Sequence, residues 1–174
     1  MTIQELERAI ALYGKEIYSF CMHLTGSRQQ ADELYQDTFL LATERAEQLR
    51  AEENPKSYFL SVALRLWKNQ KRKFAWRKRI APTEELFEET AQGEMQSCAS
   101  ALQEYLEQEK KQVVGRAVQS LDEKYRIPIL LYYMEELPVS DVAKVMKIPQ
   151  GTVKSRLSTA RKYLEKELEG YFHE

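Results

Sequence analysis

Leu137–Leu168, LPVSDVAKVMKIPQGTVKSRLSTARKYLEKEL, is the stretch on which the rest of the chain turns. Val139–Met146 and Gln150–Leu168 carry helical spacing, and Lys147-Ile148-Pro149 makes the three-residue joint of a helix-turn-helix. Val142, Ala143, Met146, Ile148, Val153 and Leu157 can form its small core, with Ala143 small enough for a close crossing. The second helix opens with Gly151-Thr152, whose free backbone amides suit a phosphate. It then sets out Lys154, Ser155, Arg156, Ser158, Thr159, Arg161 and Lys162, which can read base edges or hold the backbone in a major groove. The bland alternative is a helical hairpin with a solvated basic face.

Outward from there, composition narrows the class. The chain has 174 residues, 43% hydrophobic and 30% charged, as in a globular protein with a charged surface. Six glycines and five prolines are few for a fold of many tight turns. The longest near-apolar run, Ile127–Met134, is far short of the ~20 residues a membrane span needs. The opening MTIQELERAI is polar and acidic where a secretory signal would be basic and then apolar. Cys21 and Cys98 cannot build a disulfide framework, and a cytoplasmic protein is expected.

The formal net charge of -1 hides a segregation. Residues 61–80 carry 8 Lys/Arg and no acid, whereas residues 81–109 carry 8 Asp/Glu and no base. Blocks of opposite sign cancel globally and still make strong local fields.

Helical periodicity organises the remainder into an all-α, two-domain chain. Ile3, Leu6, Ile10, Tyr13, Ile17, Phe20 and Leu24 make one apolar stripe, which Gly26 can terminate. Ser27 and Gln30 read as a capping box for a second helix that turns Ala31, Leu34, Tyr35, Thr38, Phe39, Leu41 and Ala42 inward. Asn54-Pro55 starts a third, with Tyr58, Phe59, Val62, Ala63 and Leu66 inward. The expected organisation is a helical domain over 1–80, an acidic linker of partial helicity at best over 81–109, and a C-terminal domain over 110–174. Within the last, Ser120 and Glu123 read as a capping pair, and Pro128 predicts a kink or a late helix start.

Two further constellations bear on chemistry. Arg65, Lys68, Lys71, Arg72, Lys73, Phe74, Trp76, Arg77, Lys78 and Arg79, with Tyr58 and Trp67 upstream, interleave cations with aromatic rings. That pattern suits unpaired bases better than an intact duplex, because rings stack on bases while cations hold phosphates. The alternative is a solvated helix end whose tryptophans are core. Asp32, Glu33, Gln36, Asp37 and Glu44 form a carboxylate face on the second helix, a partial coordination sphere at most and otherwise a docking face for a basic partner. A zinc site would need both cysteines and both histidines, Cys21, His23, Cys98 and His173, so no metal is expected. No phosphate-binding loop or nucleophile motif is present, so neither a catalytic residue nor a cofactor is expected.

Together these residues resemble a bacterial RNA polymerase sigma factor of the extracytoplasmic-function (ECF) group. The most specific stretches are Ser120–Tyr133, SLDEKYRIPILLYY, and Gly151–Arg161, GTVKSRLSTAR, with Ala31–Ala42, ADELYQDTFLLA, a further match. The resemblance implies that Glu33, Gln36 and Asp37 bind core RNA polymerase. It assigns Asn54, Ser57, Tyr58, Arg65, Trp67, Lys68, Asn69, Lys71, Arg72, Lys73 and Trp76 to the melted -10 non-template strand. The loop Gln48–Ser57 would capture a flipped base. Gln150, Gly151, Thr152, Lys154, Ser155, Arg156, Ser158, Thr159, Arg161 and Lys162 would then read the duplex -35 element.

Three positions depart from the family's usual residues: Arg65 for Asn, Thr159 for Arg, and Pro149 for a capping Ser or Thr. The implied function is promoter recognition and melting as part of the polymerase, with an anti-sigma factor as a further partner. The alternative is a stand-alone helix-turn-helix regulator that binds duplex operators.

Overall fold

The computed structural model describes residues 2–45, 54–81 and 101–172. The architecture is all-α: α1 (Ile3–Thr25), α2 (Arg28–Glu44), α3 (Pro55–Ile80), α4 (Ala101–Ser120), α5 (Glu123–Ile129), α6 (Val139–Met146) and α7 (Gln150–Phe172), with a π-turn at Leu130–Met134 after α5. No helix among the described residues is long and apolar enough to cross a membrane. The chain falls into two compact units, Met1–Ala91 with Ser140–Lys147, and Gln92–Val139 with Ile148–Glu174.

In the first unit, α1, α2 and α3 pack against one another in all three pairings. Ile17, Phe20, Leu34, Phe59 and Leu60 are the large side chains with no exposure. Rings link the three helices: Tyr18 to Tyr35 at 5.5 Å, Tyr35 to Phe39 at 4.7 Å and Phe39 to Phe59 at 5.0 Å. Edge-on and tilted ring contacts of this kind add to the area they bury. Ile3, placed by periodicity in the α1 stripe, is 70% exposed, and burial begins one turn later at Leu6.

Caps set the helix ends. Thr2 and Glu5 form a full capping box on α1, with Thr2 N–H donating to Glu5 Oε2 at 2.8 Å and Glu5 N–H to Thr2 Oγ1 at 3.3 Å. Those bonds, the backbone one first, hold the Glu5 carboxyl below its usual range. Gly26 ends α1 at φ 66, its N–H donating to Met22 O. Ser27 Oγ accepts from Gln30 N–H, as its position before α2 suggests.

In the second unit α5 packs on α7, and α4 contacts both. Ile127, Leu131, Val153 and Leu157 are buried there. Three expectations change here. α4 begins at Ala101, inside the stretch read as linker, while residues 82–100 lie outside the described ones. Ser120 does not cap α5: its hydroxyl donates to Ala117 O and bonds Glu167, 47 residues on, while Asp122 occupies the N-cap. Pro128 does not delay the start of its helix; α5 runs through it and one residue later widens into the π-turn, Glu135 N–H reaching Leu130 O at 3.0 Å. A ring nitrogen without a proton removes one ladder bond, and burial of Ile127, Pro128 and Ile129 supplies the compensation.

α6 and α7 begin where the sequence places them, and α7 runs four residues beyond Leu168. Between them, Lys147 adopts a left-handed φ of 56, with its N–H on Lys144 O. Ser140–Lys147 groups with the first unit, although its place in the chain suggests the C-terminal domain. With four of eight residues buried (Val142, Ala143, Val145 and Met146), so short a helix takes its surroundings from whatever covers it.

Candidate nucleic-acid interface

Three faces carry the charged groups. On α2, Ala31, Leu34, Thr38, Phe39 and Ala42 are buried, which turns Glu33, Gln36 and Asp37 to solvent. Thr38 sits in the core with its hydroxyl donating to Leu34 O at 2.6 Å, so its burial leaves no orphan. Leu40, 63% exposed, lies one turn past Gln36 on the same face and was not anticipated. Asp32 differs from its acidic neighbours: Tyr18 Oη donates to its Oδ1 at 2.7 Å.

On α3, Asn54 Oδ1 accepts the Lys56 N–H at 3.1 Å and Pro55 occupies the first turn. Lys56 also pairs with Glu16 on α1, pinning the start of α3 to the bundle. Ser57 and Tyr58 are half-buried there. Residues 48–53 of the expected base-capturing loop lie outside the described ones. Arg65, Asn69, Lys71, Arg72, Lys73 and Trp76 are exposed and Lys68 partly so. Arg72 donates to Asn69 Oδ1 at 3.0 Å.

Trp67 is a correction. It is 5% exposed, packed into the core with Lys71 Nζ 4.7 Å over its ring, so its face is not open for a base to stack on. Trp76 at 64% and Phe74 at 67% are the open rings. Nine residues separate the two tryptophans, two and a half helical turns, which puts them on opposite sides of α3.

On α7, Val153, Leu157 and Ala160 are buried. None of the side chains expected to face DNA is: Gln150, Lys154, Ser155, Ser158, Arg161 and Lys162 are exposed, as is Gly151, and Thr152, Arg156 and Thr159 are half-buried. The first turn is closed by Val153 N–H on Pro149 O at 3.1 Å. Of the apolar set around the joint, Val142, Ala143, Met146, Val153 and Leu157 are buried and Ile148 partly so. Tyr133, which sequence reasoning passed over, accepts a hydrogen bond from Arg161 Nε.

Comparison with known proteins matches both parts of the chain. Residues 9–78 match the family described as Sigma-70 region 2, and residues 111–164 the one described as Sigma-70, region 4. The first match contains α2 and nearly all of α3; the second contains α5, α6 and the basic part of α7. The chain is 25% identical over 166 residues to the ECF RNA polymerase sigma factor SigW of Bacillus subtilis, covering 91% of this chain and 86% of that one. It is 27% identical over 165 residues to SigM of the same organism, covering 95% and 94%. In fold it is similar to the sigma factor RpoE of Bartonella quintana, solved with the anti-sigma factor NepR, at a TM-score of 0.80 and 22% identity over 96% of this chain and 98% of that one. CnrH, solved with the cytosolic domain of CnrY, aligns at a TM-score of 0.69 and 16% identity, covering 98% and 91%.

Proposed function

The chain belongs to the sigma-70 family, in its extracytoplasmic-function group, and from that premise we propose that it binds core RNA polymerase, directs it to a two-element promoter and helps open the duplex. One observation carries the mechanism: an acidic face on α2 and a basic, aromatic face on α3 are built on the same three-helix core. A body of that kind holds a protein with one face and DNA with the other, with no hinge between them. Glu33, Gln36 and Asp37 are the polar contacts to core polymerase. Arg65, Lys68, Lys71, Arg72 and Lys73 follow the phosphates of the separated non-template strand, and Trp76 stacks on an unpaired base. Asn54, Ser57 and Tyr58 shape the entrance to α3, where a base leaves the duplex stack.

The exposed residues of α7 take the -35 duplex, Lys154, Arg156 and Lys162 chiefly on phosphates. Domains over 1–80 and 110–174, joined through 81–109, let the two contacts reinforce each other, since the first raises the effective concentration of the second. The protein acts without catalysis or cofactor, in the cytoplasm, and an anti-sigma factor holds it inactive until released; RpoE of Bartonella quintana, similar in fold, was solved with such a partner. A stand-alone regulator would leave the α3 face without a role.

The test is transcription in vitro with purified core polymerase and fragmented genomic DNA, with transcript 5′ ends mapped. Discrete starts that depend on the protein and share two upstream elements are expected. Tight duplex binding without core, and no new starts, would instead establish the regulator.

A further inference from the structure

Arg161 and Tyr133 are 28 residues apart in sequence and meet in the second unit, Arg161 Nε donating to Tyr133 Oη at 2.5 Å. The guanidinium carbon lies 5.6 Å from the centre of the same ring. Tyr133 is held in turn: Tyr132 meets its ring edge-on at 4.9 Å, and both rings lie on the π-turn Leu130–Met134. A π-turn admits one extra residue and so rotates the chain beyond it, a distortion common where a side chain must be aimed. Yet Tyr133 is 52% exposed and Arg161 is exposed, so packing alone does not explain the device.

Arg161 stands seven residues after Lys154 and three after Ser158, which places all three in one line along α7. We propose that Tyr133 and Arg161 form a two-residue phosphate clamp at the flank of the recognition helix. The phenol oxygen accepts from Nε and keeps its own O–H to donate. The guanidinium, oriented by that bond, keeps its terminal N–H groups, and the one beside Nε–H can donate to the same phosphate that the phenol O–H reaches. Tyr133 is thus both a positioning residue for Arg161 and a neutral donor beside it.

This inference rests on the -35 reading of α7, and the test separates the two. The full-length protein, assembled with core polymerase, is titrated on a promoter fragment identified by start mapping. Tyr133→Phe, Arg161→Ala and the double variant are compared at several salt concentrations. Single methylphosphonates, which carry no charge, scan the -35 backbone. Arg161→Ala should lower affinity by roughly tenfold on every -35 sequence and reduce the salt slope by about 0.9. Tyr133→Phe should lower affinity by roughly threefold with the slope unchanged, since no charge is lost. The double variant should lose less than the product of the singles. One methylphosphonate that penalises wild type should penalise neither single variant to the same extent.

Wild-type affinity in Tyr133→Phe, fully multiplicative losses, or an altered base preference would each overturn the clamp while leaving the -35 reading standing. A wild-type protein that forms no promoter complex with core would overturn both.

Discussion

The Tyr18 hydroxyl donates to Asp32 Oδ1 across 2.7 Å, joining α1 to α2 at the edge of the acidic face. One carboxylate of that face is therefore spent inside the protein, while Glu33, Gln36 and Asp37 remain turned to solvent. The division sorts a cluster that looks uniform in sequence into one member tied to α1 and four, Glu44 included, turned to solvent without that tie.

Charge reversal at Asp37 probes that face directly. Asp37→Lys should weaken binding to core polymerase at least tenfold, about 1.4 kcal/mol, because a cation would face a basic partner surface. Its melting temperature should stay near that of wild type, since Asp37 is exposed and packs nothing. Equal core affinity in a fluorescence titration would remove α2 as the docking face.

The Tyr18–Asp32 bond also has a pH signature. Donation to Asp32, then desolvation, raises the Tyr18 pKa above its ordinary 10.0, and desolvation raises that of Tyr35. A tyrosine that holds its proton more tightly when folded stabilises the fold at pH below the unfolded value. That contribution disappears as pH rises through the folded one. Denaturant midpoints should fall above pH 10, and Tyr18→Phe should remove part of the fall. Midpoints flat to pH 11 would show that neither phenol is coupled to folding.

The two tryptophans of α3 should separate cleanly. Trp67→Ala opens a cavity in the core and should cost about 3–5 kcal/mol of stability. Trp76→Ala should leave stability within about 0.5 kcal/mol. Its loss should appear in binding to a single-stranded -10 oligonucleotide by the holoenzyme, by about 1–3 kcal/mol for one stacked base. Thermal melts and that titration together check both.

The same replacement at two glycines should act in opposite directions. A Cβ at either Gly26 or Gly115 meets nothing within 4 Å, so only backbone conformation decides. Gly26→Ala puts a side chain at φ 66 and should destabilise by about 1 kcal/mol. Gly115→Ala, inside α4, should stabilise by about 0.5–1 kcal/mol through helix propensity. Unfolding curves of the two variants are the measurement.

Lys154→Ala should weaken -35 binding alike across sequences and lower the salt slope by about 1 if Lys154 holds a phosphate. Altered preference at one base pair with an unchanged slope would place Lys154 on a base edge instead.

Features that depend on neighbours a few residues away were legible in the chain alone. Periodicity and end signals located α1, α2, α3, α6 and the start of α7, because caps and the 3.6-residue repeat act within a turn or two. The exposed cations of α3 and α7 could be read for the same reason: a helix with one buried stripe shows its remaining side chains to solvent. Even so, the Thr2–Glu5 capping box and the start of α4 at Ala101 escaped, the latter because an acidic, weakly apolar stretch carries little periodic signal.

Packing then chose which members of each group are free. Tyr18 and Asp32 are 14 residues apart, Tyr133 and Arg161 are 28, and Ser120 and Glu167 are 47. Such pairs form only when two helices come to lie side by side, and no local rule favours one distant partner over another. Trp67 and Trp76 share a helix, a charge environment and a residue type, and only the bundle against α3 makes one core and leaves the other open. The π-turn that carries Tyr133 likewise balances a widened ladder against the burial of Leu130 and Leu131. Its balance is set by the surrounding core, and a sequence window does not contain that core.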